Sequence, residues 1–471
     1  MKNQSLIIAV ILCAALFQPL LRAADVSANP PEMKEQRDAR MGWWREARFG
    51  LFIHWGVYSV PAGISHGVPV TSFYKGKPSV PLGEWIMYHA KIPVAEYKDF
   101  AKQFTAEKFD PAMIVRAAKA AGMEYIVFTT KHHDGFAMFD TRVNDWSIVR
   151  SSPYGKDPLK ALADECRKQG IRLGFYYSQA QDWVNKGAAW HHTKWDKAQE
   201  GSMDDYIEKT CIPQLRELLS NYGPDTPAVV WWDTPHDITQ EQAARIEGVV
   251  QELRPGLIQN NRLGGGFKGD TETPEQYIPD GGYPGRDWES CMTMNDTWGF
   301  KKDDHNWKSA PAILFNLIDV VSKGGNFLLN IGPDARGVVP QPSLDCLEVL
   351  AKWMKVNSES IHGAGNSCFG QEYGGAAKEI DGYGVERKSN GSKAWRCTTK
   401  KGKIYLHFFQ WPGEQFDLAG VKAKVTKAYL LADRGRSLPV SQSGTKVSLG
   451  LPKNAPDAIA SVVCLETEDV Q

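Results

Sequence analysis

The sequence predicts an α/β protein, a (β/α)8-like barrel followed by a C-terminal antiparallel β-sandwich. Three observations lead there. Short apolar runs alternate with amphipathic helical patterns over most of the chain, as parallel strands covered by helices require. No G-x-G-x-x-G follows the first strand and no Walker loop occurs, so the nucleotide-binding doubly wound sheets lose ground to a barrel. Beyond about residue 365 the texture changes to short alternating runs punctuated by Gly, Ser and Lys.

The bulk composition agrees. A chain of 471 residues suits one large α/β domain with an appendage. Its 55 basic and 55 acidic residues balance, so no broad field attracts nucleic acid or an anionic membrane. The 16 Trp residues are either core filler or platforms for apolar sugar faces, and composition does not separate the two.

The N-terminus, MKNQSLIIAVILCAALFQPLLRAAD, has Lys2, an apolar run from Leu6 to Leu21, and then Ala23-Ala24. That is the layout of a signal peptide over residues 1–24, cleaved near Ala23 or Ala24. Gln18 and Pro19 interrupt the run and leave it short of a span, and Cys13 lacks the small preceding residue of a lipoprotein site. The expectation is an exported chain, periplasmic, extracellular or lysosome-like, with no membrane span once mature. Cys166, Cys211, Cys291, Cys346, Cys368, Cys397 and Cys464 then remain. Their spacing matches neither a zinc site nor a disulfide framework.

The expected strands are, in order, 49–55, 124–130, 171–178, 227–233, 256–261, a weaker one around Trp288, and 326–332. Helical spacing appears at 112–123, 158–170, 203–223 and 241–256. The sandwich strands include 403–411, 424–432 and 460–466. The expected domains are a catalytic one at 25–362 and a sandwich at 363–471. The second is expected to carry no catalytic residue, to brace the barrel and to lend a loop to the leaving-group side.

A barrel builds its site at the C-terminal ends of its strands, and these ends are rich in polar and aromatic residues. FGLFIHW runs an apolar strand into His54 and Trp55. PAVVWWDTP puts Trp231 and Asp233 on one face by strand alternation, with Asp233 at the top. The bland alternative is that Asp233 only caps the next helix. TTKHHDGFAMFD offers His132, His133 and Asp134, but a metal site needs a third ligand and none stands nearby in sequence; His191-His192 is a weaker case still. RDWESCMTMNDTWGF carries Asp287 and Glu289, and GDTETPEQYIP carries Glu272 and Glu275. The bland alternative for each is a solvated loop charge, the usual fate of a Glu. Asp233 plus an acidic strand end, however, is the pair that glycoside hydrolysis requires.

The collinear set WWREARFGLFIHWGVYSV, GEWIMYH, TTKHHDGFAMFD, GFYYS, VWWD, NNR, WESCMTMNDTWGF and NFLLNIGPDARG resembles glycoside hydrolase family 29, the retaining α-L-fucosidases, from about residue 40 to 360. The resemblance implies Asp233 as nucleophile and Glu289 as acid/base, with Glu275 as its rival. It also implies fucose contacts from His54, Glu84, Trp85, His132, His133, Tyr177, Trp231 and Arg262. Arg262 is followed by Leu263-Gly264 where the family often has Trp-Gly. The implied substrate is a fucosylated oligosaccharide or glycoconjugate, with no cofactor and no metal. Two other readings stay open: a retaining enzyme for a related sugar such as a galactoside, and a carbohydrate-binding protein with a degenerate site.

Overall fold

The computed structural model describes residues 32–74, 77–79, 83–189, 194–381 and 385–468, without side chains at 72–74, 77–79, 376 and 390. The expected signal peptide and His191-His192 lie outside the described residues. The chain divides into two units, Met1–Gly42 and Trp43–Gln471. In the first, Glu32 and Arg40 pair at 2.6 Å as helix α1 (Lys34–Ala47) begins.

The second unit opens on eight parallel strands: β1 (Phe49–Ile53), β2 (Tyr125–Lys131), β3 (Arg172–Tyr177), β4 (Val229–Trp232), β5 (Ile258–Gln259), β6 (Thr271–Glu272), β7 (Asp287–Thr293) and β8 (Asn326–Ile331). They pair in the order β6-β7-β8-β1-β2-β3-β4-β5, and a parallel bridge from Asn260 to Thr271 closes the ring. The expected strands are seven of these. The eighth, β6, has only two residues and sits inside the acidic GDTETPEQ run, where polarity hid it.

Helices follow the strands and turn their apolar faces inward. They are α2 (Pro111–Ala120), α3 (Pro158–Gln169), α4 (Ile212–Asn221), α5 (Gln240–Leu253), α6 (Ala310–Ser322) and α7 (Gln341–Asn357). Local chemistry sets their ends. Asp110 and Asp157 cap α2 and α3 by accepting the Met113 and Lys160 N–H groups, each just ahead of a helix-starting Pro. Gly170 ends α3 with a φ of 73°, a conformation glycine adopts without strain. The expected helix at 203–223 is broken by a π-helical turn, Ile207–Cys211, ahead of α4.

The barrel interior is filled by alternate residues of its strands: Phe52, Tyr125, Val127, Tyr176, Trp231, Cys291 and Leu328 form one buried cluster. Gly50 belongs to the same lining. A Cβ there would lie 2.5 Å from the Tyr125 ring, so a glycine is what lets that ring cross the floor.

After α7 come β9 (Ala376–Ile380), β10 (Glu386–Asn390), β11 (Trp395–Lys400), β12 (Lys403–Phe408), β13 (Gln415–Leu418), β14 (Val425–Leu430), β15 (Asp433–Ser437), β16 (Val440–Ser443), β17 (Lys446–Gly450) and β18 (Ser461–Thr467). They are antiparallel throughout. A five-stranded sheet (β11-β12-β18-β14-β15) and a three-stranded one (β13-β17-β16) enclose Leu406, Phe408, Leu418, Val447, Leu449, Val463 and Leu465, while β9-β10 forms a separate hairpin. No helix among the described residues is long and apolar enough to cross a membrane.

Candidate active site

Asp233 stands immediately after β4, so its side chain emerges at the C-terminal mouth of the barrel. Its Oδ2 accepts from the Tyr176 hydroxyl at 2.8 Å. Its Oδ1 accepts from Arg262 Nη1 at 2.9 Å and from the Thr234 N–H at 2.8 Å. His133 Nε2 lies 3.5 Å from Oδ2. Burial alone would raise this carboxyl, but the charge of Arg262 and the bonds from Tyr176 and Arg262 outweigh it, and Asp233 is held below the ordinary carboxylate range.

Arg262 follows β5 and is fixed on every side. Its Nε donates to Thr273 Oγ1 and its Nη2 to the Thr273 carbonyl, both at 2.9 Å, and its guanidinium lies 4.8 Å from the Trp231 ring centre. The Nη1 that binds Asp233 also donates to Glu275 Oε2 at 2.7 Å. Two carboxylate oxygens on one nitrogen can be no farther apart than the two bonds laid end to end. That bound keeps the pair within the separation of about 5–5.5 Å, or closer, at which a nucleophile and an acid/base work in a retaining glycosidase. The Glu275 side chain is 26% exposed, open toward the mouth.

Glu289 sits elsewhere. It is in register with Asn326, the first residue of β8, and its partner Tyr125 is the first residue of β2, so it lies at the N-terminal end of the barrel. Tyr125 donates its hydroxyl to one oxygen and Trp231 its indole N–H to the other, at 3.0 Å. The residue is 3% exposed, and burial pushes its carboxyl up to about 7 against those two hydrogen bonds. A group on the floor cannot reach a leaving group at the mouth. The resemblance implies Glu289 as acid/base, but β7 runs on past it to Thr293, so Glu289 does not stand at the mouth end of its strand. Asp287 and Glu272 are ion-paired outside the pocket, with Arg45 at 2.7 Å and Arg286 at 2.9 Å.

The histidines do gather. His54, just beyond β1, is 4% exposed, and its Nδ1 is 2.7 Å from Asn330 Oδ1. The ring centres of His54 and His132 are 5.6 Å apart, and His132 stacks on Tyr176 at 5.4 Å. His133 Nδ1 is held by Ser178 Oγ at 2.7 Å. Burial lowers all three, His54 to about 3 and His133 to about 4, so they are neutral imidazoles near pH 7. Trp298 flanks His54 at 5.0 Å and Trp85 flanks His133 at 5.0 Å. Glu84 is wholly buried. Its Oε2 accepts from the Gly299 N–H at 2.7 Å, while its Oε1 and His132 Nδ1 have no hydrogen-bond partner among the described residues. Buried polar atoms left open in this way await a ligand's hydroxyls.

Tyr177 is the other expected contact that the fold removes. Its hydroxyl donates to Gln214 at 2.8 Å on the helix side of the sheet, and its neighbour Tyr176 takes the inward place. Trp231 faces inward as expected, but its N–H is committed to Glu289, so only its ring serves the pocket. The sequence reading missed Tyr176, Thr273 and Asn330. Tyr176 was accessible in principle, since it pairs in register with the inward Trp231; Thr273 and Asn330 carried no signal of their own.

The missing third partner for His132 and His133 is supplied by the fold, since one donor atom from each of His132, His133 and Asp233 falls within 4.8 Å of the others. Arg262 on the same carboxylate places a positive charge against any cation there. The arrangement suits a polyol better.

Comparisons with known proteins agree with that chemistry. The family model described as Alpha-L-fucosidase matches residues 17–359. The tissue alpha-L-fucosidase of Mus musculus is 30% identical over 389 residues, 79% of this chain and 78% of the relative. Among solved structures, alpha-L-fucosidase isoenzyme 1 from Paenibacillus thiaminolyticus is 31% identical, covering 92% of this chain and 100% of its own at a TM-score of 0.77. A family 29 alpha-L-fucosidase from Bacteroides thetaiotaomicron, trapped as a covalent intermediate with 2-fluoro-fucosyl fluoride, is 25% identical, covering 94% of this chain and 98% of its own at a TM-score of 0.75.

Proposed function

From the premise that this chain belongs to the alpha-L-fucosidase family, we propose how its own residues release fucose. It is a glycoside hydrolase that removes α-L-fucosyl groups with retention of configuration. Asp233 is the nucleophile. Kept ionised by Arg262 and Tyr176, it attacks the anomeric carbon and forms a glycosyl ester as the bond to the leaving oxygen breaks. Glu275, rather than Glu289, gives that oxygen its proton, and then takes a proton from the water that attacks the same carbon and frees Asp233.

The observation that carries this reading is the single Arg262 nitrogen bonded to both carboxylates. The neutral His54, His132 and His133 bind the sugar hydroxyls without adding charge beside the nucleophile, and Glu84 supplies an acceptor. Trp298 and Trp85 form aromatic walls, which accept the fucose methyl group without leaving a polar atom unpaired.

Substrates are terminal α-L-fucosides of oligosaccharides or glycoconjugates, and the leader of residues 1–24 directs the enzyme out of the cytoplasm. The test is trapping with 2-fluoro-fucosyl fluoride followed by peptide mapping. The label belongs on Asp233, and a label on any other residue would refute the assignment. A parallel assay with a nitrophenyl α-L-fucoside and a fucosylated oligosaccharide should show release of fucose.

A further inference from the structure

Two cysteines meet where the chain enters the sandwich. Cys368 is exposed, in the segment between α7 and β9; Cys397 is wholly buried in β11. The neighbouring backbone is laced together. The Gly365 N–H donates to the Thr399 carbonyl at 2.7 Å, the Thr399 N–H returns to the Gly365 carbonyl at 3.2 Å, and Thr399 Oγ1 donates to the Asn366 carbonyl at 2.8 Å. The antiparallel bridge between Gly365 and Thr399 sets Cys368 and Cys397 side by side on facing segments, and the Cys397 Sγ donates to the Thr398 carbonyl at 3.6 Å. Cys166, Cys211, Cys291, Cys346 and Cys464 are all buried.

The two thiols differ in character. The neighbouring Cys397 thiol holds the Cys368 thiol below its ordinary value although burial opposes it, whereas burial drives the Cys397 thiol well above. One is an accessible nucleophile and the other is shielded behind it.

We propose that Cys368 and Cys397 are a redox pair that closes an intramolecular disulfide when the chain meets an oxidising compartment. The oxidant is a disulfide donor, either an oxidised dithiol protein or glutathione disulfide. The Cys368 thiolate, its proton given to solvent, attacks one donor sulfur and expels the other as a thiolate. Cys397 then loses its proton to solvent, attacks the Cys368 sulfur of the mixed disulfide and expels the second donor thiolate. Two protein thiols become one disulfide, and the donor disulfide becomes two thiols.

The bond would close the base of the loop that carries β9 and β10. Arg387 of β10 lies 4.5 Å over the ring of Tyr277, in the strand-end segment that also holds Glu275. Closing the loop therefore fixes the hairpin beside the acid/base segment. Removing freedom from the unfolded chain in this way stabilises the fold.

The experiment takes the full-length protein, fully reduced, into glutathione disulfide. Free thiols are alkylated after unfolding in acid, and the protein is digested with trypsin without reduction. The expected product is the peptide Val356–Lys378 joined to Cys397–Lys400, with the apparent melting temperature raised by a few degrees. Cys368→Ala should leave Cys397 reduced, and Cys397→Ala should stop at a stable glutathione adduct on Cys368. If both thiols of the wild type are alkylated after the oxidising step, or if Cys368 keeps a glutathione adduct while Cys397 stays free, the proposal is wrong. Linkage of Cys397 to any other cysteine overturns it equally.

Discussion

Arg262 gives two carboxylates, Asp233 and Glu275, one shared cation, and that contact is the ground for proposing Glu275 over Glu289. Glu275→Ala should lose most turnover on a natural glycan, while aryl fucosides with good leaving groups still form the ester. Added azide should then yield the retained fucosyl azide, because no base is needed for an anionic nucleophile. Glu289→Gln should keep near-normal kcat on both substrates. Glycan hydrolysis that survives Glu275→Ala but is lost in Glu289→Gln would reverse the assignment. Glu289 has a second consequence. Its folded value, about 7, lies above the unfolded one, so the native state holds its proton more tightly. The folded form then carries no penalty below about pH 4.5, and the penalty grows as pH rises to 7, reaching on the order of 3 kcal/mol. Denaturant unfolding of the wild type should therefore lose stability between those pH values relative to Glu289→Gln. Equal pH profiles for the two proteins would show that the floor carboxyl is not perturbed.

At the scale of the element, strand parity is what the site depends on, and parity is where the sequence was readable in part. Asp233 after Trp231 followed from alternation within one strand, because VVWW is bounded by a Pro before it and a TP turn after it. His54, His132 and His133 followed from apolar runs that end in imidazoles. GFYYS was ambiguous, since two adjacent tyrosines fit either phase, and only its pairing with β4 shows that Tyr176 is the inward one. Glu275 was obscured for a different reason. It follows a two-residue strand, too short for any period to register, whereas Glu289 sits beside Trp288 in a run that, though the weaker of the expected strands, is seven residues long in the structure. The parity assignment has a direct test. Tyr176→Phe removes a hydrogen bond to an ionised carboxylate and should lower kcat/KM roughly tenfold to a hundredfold. Tyr177→Phe should leave kcat/KM within a factor of two or so and cost about 1–3 kcal/mol in stability, because it orphans buried Gln214. The opposite pattern of rates would put Tyr177 back in the pocket.

Taken whole, the molecule treats its second half as part of its first. The cluster that fills the barrel and its helices runs on into Tyr405, Tyr429, Leu431 and Val462 of the sandwich, while a separate apolar cluster lies between the sheets. Polar ties cross the same boundary. The Trp353 indole of α7 donates to the Ala460 carbonyl at 2.7 Å, Thr398 Oγ1 donates to the Ser360 carbonyl at 2.7 Å, and Glu359 accepts from Tyr405 at 2.6 Å. Deepest is Arg396 of β11, 1% exposed, which is ion-paired with Asp319 of α6, itself held by Lys323 at 2.9 Å. A buried guanidinium tolerates its site only while its carboxylate is present, so Asp319→Ala should cost about 3–5 kcal/mol even though the residue is remote from Asp233. Asp319→Asn, which keeps the volume and one acceptor, should cost less. On this view the sandwich is a brace and the catalytic half is not self-sufficient. A chain ended after His362 would expose Trp353 and the faces of α6 and α7, and should be recovered aggregated or molten. The full chain should unfold in one calorimetric transition followed equally by loss of fucosidase activity. Two separated transitions, with activity lost in only one of them, would show that the two halves stand independently.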